Sequence, residues 1–220
     1  MTTVAIVANG PWELLPDLSL FTGKIDKWIG ADRGAHHLLL NGITPDIAVG
    51  DFDSLTKVER QLVKRQVRVF EQYPSEKDLT DLELALEKAY TLNPETIYLF
   101  GVTGGRLDHF LINIQTLYTI MEKEILAFIV DASNQLHMEK PGSHTITNDD
   151  TYPYVSFVPF TKEVQDLSLE GFYYPLTNET ISWGSTRCIS NKLLLKNGTF
   201  SFRAGILLVI KSHDAINDVH

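Results

Sequence analysis

Two aspartates separated by one residue are the first candidates for chemistry, in Gly50-Asp51-Phe52-Asp53-Ser54. Residues i and i+2 of an extended chain point to the same side, so these two carboxylates face one way. Neighbouring carboxylates repel each other unless a cation neutralises them. Mg²⁺ prefers carboxylate oxygens and works with substrate phosphates. The pattern predicts a metal site, and a solvated turn is the alternative.

A second acidic group follows in Lys77-Asp78-Leu79-Thr80-Asp81. Asp78 and Asp81 are three residues apart at the predicted start of a helix, so they lie on nearly one face. Carboxylates at this place also complement the helix dipole, and Ser75 with Asp78 resembles a capping arrangement. For these residues alone, capping is the better explanation.

A glycine-rich segment, Gly101-Val102-Thr103-Gly104-Gly105-Arg106, follows another predicted strand. Glycines let backbone N–H groups approach a phosphate at a helix N-terminus. The Arg106 guanidinium can donate hydrogen bonds to two phosphate oxygens at once. The segment matches neither the P-loop nor G-x-G-x-x-G, and a tight turn explains it equally well.

The last third of the chain contains hydroxyl and amide side chains beside an aromatic residue. This composition suits recognition of a flat heterocycle that carries amino and ring-nitrogen groups. Ordinary strand and turn chemistry is the better explanation for the residues alone. The candidates are Trp183, Ser185, Thr186, Ser190 and Asn191.

Short apolar runs alternate with helical patterns up to about residue 131. The predicted strands cover residues 4–8, 27–31, 47–50, 67–70, 97–100 and 126–130, and the clearest helices cover 79–90 and 107–121. Such alternation predicts a parallel sheet covered by helices on both faces. The fold class is therefore α/β, with a Rossmann-like domain over residues 1–133.

From about residue 134 the helical period gives way to strand alternation. Residues 155–160, 167–169 and 199–202 are predicted strands, and Asn197-Gly198 predicts a hairpin turn between residues 193–196 and 199–202. Residues 134–220 are therefore predicted to form a separate all-β domain, a small sandwich or barrel.

Ligands of open α/β sheets bind beyond the carboxyl ends of the strands. Asn9 follows the first predicted strand, Asp32 the second, and the acidic and glycine-rich groups follow later ones. Six aspartates thus converge on one sheet edge beside Lys77 and Arg106. We therefore predict a metal–nucleotide site. The aspartates are Asp32, Asp51, Asp53, Asp78, Asp81 and Asp108.

Composition and charge indicate which classes of binding partner and which cellular location to expect. The net charge is −9, which argues against nucleic acid as the main partner. No apolar run reaches the length of a membrane span, and the N-terminus carries no leader pattern. Cys188 is the only cysteine in the sequence, which indicates a reducing compartment. We expect a cytoplasmic protein.

The ordered set of motifs resembles the thiamine pyrophosphokinase family in its bacterial form. The motifs are Gly30-Ala-Asp-Arg-Gly-Ala, Gly50-Asp-Phe-Asp-Ser, Lys77-Asp-x-Thr-Asp81, Gly104-Gly-Arg-x-Asp-His109 and Ser190-Asn191. The resemblance spans about residues 4–210. It implies an α/β catalytic domain, a β-sandwich that binds thiamine, Mg²⁺, ATP as co-substrate, and a homodimer whose subunits share active sites.

Site residues are carried over by motif. The resemblance implies that Asp32, Asp51, Asp53 and Asp81 surround Mg²⁺ and phosphate. It implies that Lys77, Asp78, Gly104, Gly105, Arg106 and Asp108 meet ATP, and Asn9 is grouped with them. It also implies that Ser190 and Asn191 meet thiamine, to which we add Trp183, Ser185 and Thr186.

The chain departs from the family pattern at a few positions. Arg33 stands where a glycine is common, and His36 stands where an asparagine is common. Residues 205–210 lack the tryptophan that some relatives carry near the C-terminus. Trp183 and Phe202 are the remaining candidates to stack on the thiamine ring.

The implied reaction is attack of the thiamine hydroxyethyl oxygen on the β-phosphorus of ATP, with AMP leaving. Asp53, Asp81 and Arg106 are the predicted catalytic residues, and Asp53 or Asp81 accepts the hydroxyl proton. Two alternatives stay open: a metal-dependent glycosyl- or nucleotidyltransferase, and a non-catalytic nucleotide-binding sensor.

Overall fold

The computed structural model describes residues 1–76 and 78–214. The chain divides into two compact units, Met1–Ala132 and a second unit that begins at Ser133. Among the described helices, none combines the length and the apolar character needed to cross a bilayer.

Six parallel strands form the sheet of the first unit, in the order β4-β3-β2-β1-β5-β6. The strands are β1 (Thr3–Val7), β2 (Lys27–Ala31), β3 (Ile47–Gly50), β4 (Val69–Gln72), β5 (Thr96–Phe100) and β6 (Leu126–Val130). The predicted parallel sheet is confirmed. β4 begins two residues later than predicted, because Val67 caps the preceding helix through its backbone N–H.

Four α-helices connect these strands: α1 (Gly34–Leu40), α2 (Lys57–Gln66), α3 (Asp81–Tyr90) and α4 (Leu107–Met121). Short 3-10 helices cover Trp12–Leu14 and Leu18–Phe21. Thr80 caps α3 in a capping box with Glu83, so the suggested cap at Ser75 and Asp78 is wrong. Thr56 and Glu59 form the same arrangement at α2.

The inner parallel strands β1, β2, β3 and β5 are largely buried, as their continuous apolar runs require, whereas the edge strand β4 is partly exposed. Residues 4–7 of β1 are fully buried. α1 begins directly against β1, and a Cβ at Gly34 would lie 1.8 Å from the Val7 carbonyl oxygen. Only glycine permits this approach, which brings the start of α1 and the preceding Asp32 to the end of the central strand.

Residues 133–214 of the second unit form seven strands in two antiparallel groups, β7-β13-β9 and β11-β10-β12-β8. They are β7 (Asn134–Glu139), β8 (Gly142–Thr147), β9 (Tyr154–Pro159), β10 (Glu163–Glu170), β11 (Leu176–Ser182), β12 (Asn197–Phe202) and β13 (Leu207–Ser212). Side chains from both groups join one buried cluster, which includes Phe157, Leu167 and Phe200.

The predicted hairpin at Asn197-Gly198 is wrong. Both residues lie inside β12, where they pair with Thr147 and Ile146 of β8. Residues 194–196 form no strand, and Leu194 and Leu195 are exposed. Long-range pairing with β8 and β10 therefore overrides the local turn preference.

Candidate active site

A cleft of about 800 Å³ opens at the carboxyl ends of the parallel strands. Strand order reverses between β1 and β5, and such a switch point is where open α/β sheets bind ligands. Segments that follow both strands line the cleft: residues 8–11 after β1 and residues 101–106 after β5. The start of α3 and one side of α4 complete the lining.

Three carboxylates meet at one side of this cleft. Asp32, Asp51 and Asp53 each offer an oxygen, and these oxygens lie within 4.8 Å of one another. Asp32 is 5% exposed, whereas Asp53 is exposed. Three carboxylates at this spacing repel each other strongly unless a cation is present. The structure thus brings together three of the four predicted metal ligands.

The buried Asp32 carboxylate has one oxygen engaged and one available. Its Oδ2 accepts hydrogen bonds from the Ser54 hydroxyl at 2.6 Å and from the Asn9 amide at 3.3 Å. Its Oδ1 is buried and accepts no hydrogen bond from the described residues. Burial raises the pKa of Asp32, and the hydrogen bond from Ser54 opposes that shift. A divalent cation would satisfy the remaining oxygen and keep the carboxylate ionised.

The loop after β3 is anchored by an aromatic side chain. Phe52 is fully buried and stacks on Phe70 with ring centroids 4.5 Å apart. Its φ of 59° turns the chain between the two aspartates. The Asp51 carboxylate accepts a hydrogen bond from the Asp53 backbone N–H at 3.0 Å. The apolar residue between the acids thus fixes where both carboxylates emerge.

Asp78 and Asp81 both line the cleft, but only Asp81 belongs to α3, because the helix begins at Asp81 and Asp78 lies in the segment before it. The negative charge of Asp81 contributes to the raised pKa of Asp32, so the two carboxylates interact electrostatically. Among the described residues, the cluster within 4.8 Å does not include Asp81. Lys77 lies outside the described residues, and its predicted contact with ATP stays a prediction.

The glycine-rich segment makes a close backbone turn. Gly101, Gly104 and Gly105 have φ values of 65°, 73° and 71°, a region that favours glycine. A Cβ at Gly101 would lie 2.6 Å from the Ala8 carbonyl oxygen. The Asn113 side chain of α4 donates to the Val102 carbonyl at 2.8 Å. This turn therefore offers exposed backbone at the start of α4, as the prediction required.

Arg106 immediately precedes α4 and forms a two-pronged ion pair with Asp108. Its Nε donates to Oδ1 at 3.1 Å, and its Nη2 donates to Oδ2 at 2.5 Å. This guanidinium lowers the pKa of Asp108 to about 2. Both side chains are exposed. Arg106 therefore lines the cleft with its guanidinium paired to a carboxylate.

The candidates of the second unit lie on one loop, residues 183–191, between β11 and β12. Trp183, Ser185, Thr186 and Ser190 are exposed. Asn191 is different: it is 2% exposed, and its amide bonds the backbone of Tyr174 and Lys192. The side chain of Asn191 thus holds the loop together. Cys188 is buried, and burial raises the pKa of its thiol.

Sequence reasoning missed several residues of the site. Ser54 ends the acidic motif and is not among the predicted site residues, although its hydroxyl orients Asp32. Thr103 lines the cleft at 5% exposure, and its hydroxyl has no hydrogen-bond partner among the described residues. Asn113 lies about two turns into α4, beyond the glycine segment. No signal in the sequence sets it apart, because other polar residues, such as His109 and Gln115, occur along the same helix.

Comparisons with known proteins match both units of the chain to the same family. A family model described as "Thiamin pyrophosphokinase, catalytic domain" matches residues 19–129. A second, described as "Thiamin pyrophosphokinase, vitamin B1 binding domain", matches residues 143–207. The thiamine pyrophosphokinase of Bacillus subtilis (strain 168) is 47% identical over 214 residues, which cover 97% of this chain and 100% of that relative.

Solved structures agree with the sequence matches. The crystal structure of thiamine pyrophosphokinase from Bacillus subtilis superposes with a TM-score of 0.91 at 46% identity, covering 97% of this chain and 100% of that one. The corresponding protein from Geobacillus thermodenitrificans gives a TM-score of 0.87 at 44% identity, covering 97% and 99%.

Proposed function

This chain belongs to the thiamine pyrophosphokinase family, and we propose that its acidic sheet edge binds Mg-ATP while its second unit binds thiamine. The enzyme transfers a diphosphate group from ATP to the hydroxyethyl group of thiamine, giving thiamine diphosphate and AMP. Family membership does not favour a glycosyl- or nucleotidyltransferase or a non-catalytic sensor.

One observation supports the assignment of the metal: three carboxylates converge within 4.8 Å, and one of their oxygens is buried and accepts no hydrogen bond from any residue that the structure describes. Asp32, Asp51 and Asp53 would hold Mg²⁺, and Asp81 would complete the set from the start of α3. When bound, Mg²⁺ supplies positive charge beside the phosphates and orients them. Carboxylate oxygens suit this cation.

ATP would lie in the 800 Å³ cleft with its phosphates toward the acidic cluster. The turn at Gly104 and Gly105 leaves backbone N–H groups open to phosphate oxygens at the start of α4. Arg106 would exchange the Asp108 carboxylate for phosphate oxygens, which accept the same two-pronged hydrogen bonds. Asn9, Lys77, Asp78 and Asp108 complete the proposed nucleotide set.

Catalysis in this reaction rests on positioning and charge neutralisation. The hydroxyl proton of thiamine must leave as its oxygen attacks the β-phosphorus. Asp53 and Asp81 are the proposed acceptors: Asp53 is exposed beside the cluster, and Asp81 lines the cleft. Arg106 would stabilise the negative charge on the transferred group.

We propose that the two units have separate roles, one in catalysis and the other in thiamine binding. Residues 1–133 would form a Rossmann-like catalytic domain with helices on both sheet faces. Residues 134–220 would form a β-sandwich that binds thiamine. Exposed side chains on its loop support this role, because an indole and several hydroxyls are available for a heterocycle. These are Trp183, Ser185, Thr186 and Ser190, with Asn191 supporting them.

We also propose a homodimer in which subunits share active sites. Both units expose large apolar side chains that a second subunit could cover. In the first unit they include Leu107, Leu111 and Ile112 of α4, and in the second Tyr173, Tyr174, Leu194 and Leu195. The cytoplasm is the proposed location, because a supply of ATP and a single reduced cysteine both fit that compartment.

The direct test is to incubate the protein with thiamine and Mg-ATP and to follow the products by chromatography. We expect AMP and thiamine diphosphate in equal amounts, and no product when EDTA is added. Formation of ADP and thiamine monophosphate would contradict the proposed diphosphate transfer. Nucleotide binding without any product would instead support the sensor alternative.

A further inference from the structure

Arg33 contacts the loop that carries two of the clustered aspartates. It follows Asp32 directly and stands just before α1. Its Nη1 donates to the Ser54 carbonyl, and its Nη2 donates to Glu59 Oε1 at 3.0 Å. One guanidinium therefore joins the end of β2, the end of the acidic loop and the start of α2.

The partner of Arg33 is itself held in place. Glu59 accepts a hydrogen bond from the Thr56 backbone N–H at 2.8 Å, which is half of the capping box of α2. That hydrogen bond, together with the one from the Thr56 side chain, lowers the pKa of Glu59. Glu59 therefore remains ionised near neutral pH and keeps Arg33 aimed at the loop.

A second arginine, which lies on α2, donates a hydrogen bond to the same loop. Arg60 Nη2 donates to the Phe52 carbonyl at 2.9 Å. Two backbone carbonyls that flank Asp53 are thus each bound by a guanidinium. Charged donors make hydrogen bonds roughly twice as strong as neutral ones. This arrangement opposes the mutual repulsion of Asp32, Asp51 and Asp53, which would otherwise push the loop away from β2.

We propose that Arg33 is a positioning residue that holds the loop of residues 51–54 in its cation-binding conformation before the cation arrives. The inference rests on the proposed metal role of the acidic cluster. Among the described residues that line the cleft, Arg33 is absent. Its two hydrogen bonds are made to the protein, so it acts through the loop and not on the substrate.

The test compares Arg33→Gln and Arg33→Lys with wild type and with Arg68→Gln. Arg68 is a matched control: it is 79% exposed and lies 3.9 Å from Asp46, away from the loop contacts. The probe is Mn²⁺ with α,β-methylene-ATP, in which the bond to be broken is replaced, and free Mn²⁺ is measured by electron paramagnetic resonance. Rates are also measured against free Mg²⁺ at saturating ATP and thiamine.

For Arg33→Gln we expect the Mn²⁺ Kd and the half-saturating Mg²⁺ concentration to rise about 10-fold, the scale seen when groups that orient metal ligands are lost. The maximal rate at high Mg²⁺ should recover to within about 3-fold of wild type, because excess cation pulls the loop into place. Arg33→Lys should rescue part of the affinity, because lysine keeps the charge but not the two-pronged geometry. Arg68→Gln should match wild type.

Separate outcomes distinguish the two proposals. If the wild-type protein does not bind Mn²⁺ together with the nucleotide, this result contradicts the proposed metal site. The proposed role of Arg33, which depends on that site, is then contradicted as well. If wild type binds but Arg33→Gln has an unchanged Kd, only the role of Arg33 is overturned. Should Arg33→Gln fail to fold, Glu59→Gln replaces it, because glutamine retains the capping box while removing the charge that orients Arg33. An unchanged Mn²⁺ affinity in that variant also overturns the inference.

Discussion

The hydroxyl of Ser54 donates a 2.6 Å hydrogen bond to Oδ2 of the buried Asp32. The two residues lie 22 positions apart, on loops that follow neighbouring parallel strands. This bond fixes the rotation of the Asp32 carboxylate, so that its buried Oδ1 is the oxygen that accepts no hydrogen bond from the described residues. Because Ser54 directly follows Asp53, the same contact links the positions of the buried and the exposed carboxylates.

Asp53→Asn should reduce kcat by about 100-fold or more, because it removes one anionic ligand while keeping the side-chain shape. Thermal unfolding should occur near the wild-type temperature, since Asp53 is exposed. The measurement is AMP release at fixed thiamine and Mg-ATP. Asp150→Asn, a substitution at an aspartate on a loop of the second unit, is the control. Wild-type activity at ordinary Mg²⁺ would rule out a ligand role for Asp53.

Arg106→Lys should lower kcat/KM for ATP by roughly 10–100-fold, because an ammonium cannot reproduce the planar fork. Arg203→Lys is a matched control, since Arg203 makes comparable hydrogen bonds to Asp166 and Gln165 in the second unit. Steady-state kinetics with varied ATP would measure the effect. A loss of thermal stability alone would make Arg106 a structural residue.

The carboxyl of Asp108 should titrate at about 2 in the protein without nucleotide, because Arg106 stabilises its ionised form. A lowered pKa in the folded state stabilises the fold above the ordinary value near 3.9, and this contribution is lost as pH falls towards 2. Carbon-13 NMR titration would measure it. In Arg106→Gln the pKa should return towards 3.9, and an unchanged value would show that Arg106 is not its cause.

Asn191→Ala should lower the free energy of unfolding by about 1–3 kcal/mol, because backbone groups of Tyr174 and Lys192 lose a buried partner. Asn148→Ala is the control, since Asn148 bonds the exposed Asp150. We expect it to change stability by less than about 0.5 kcal/mol. Urea unfolding would compare them. Equal stability of both variants would contradict the structural role of Asn191.

A mixed dimer of Asp53→Asn and Ser190→Arg should regain activity. The first change disables the α/β unit and the second blocks the candidate thiamine loop. Suppose that each active site combines the acidic cluster of one subunit with the loop of the other. In the mixed dimer, one active site then contains both substitutions, and the other active site contains neither. Differently tagged variants would be co-expressed, and the mixed dimer purified and assayed for AMP. An inactive mixed dimer, with subunit exchange verified, would place each site within one chain.

Local sequence patterns were enough to predict most of the first unit. Apolar runs predicted all six parallel strands within two residues, and α4 begins and ends where its periodicity indicated. The placement of acids and glycines after these strands predicted the cleft, because parallel strands bring their carboxyl ends to one edge. These features depend on interactions between residues close in sequence and on one topological rule.

Tertiary structure decided what local patterns could not. Asn197-Gly198 is a strong turn signal, yet pairing with β8 over a separation of about 50 residues places it within a strand. Asn191 is predicted from its motif to meet thiamine, and only the packing of the second unit shows that its buried side chain also bonds the Tyr174 backbone. The partners of Arg33 lie 21 and 26 positions away. Such contacts depend on how distant segments pack, and a side chain's type does not specify which distant group it will meet.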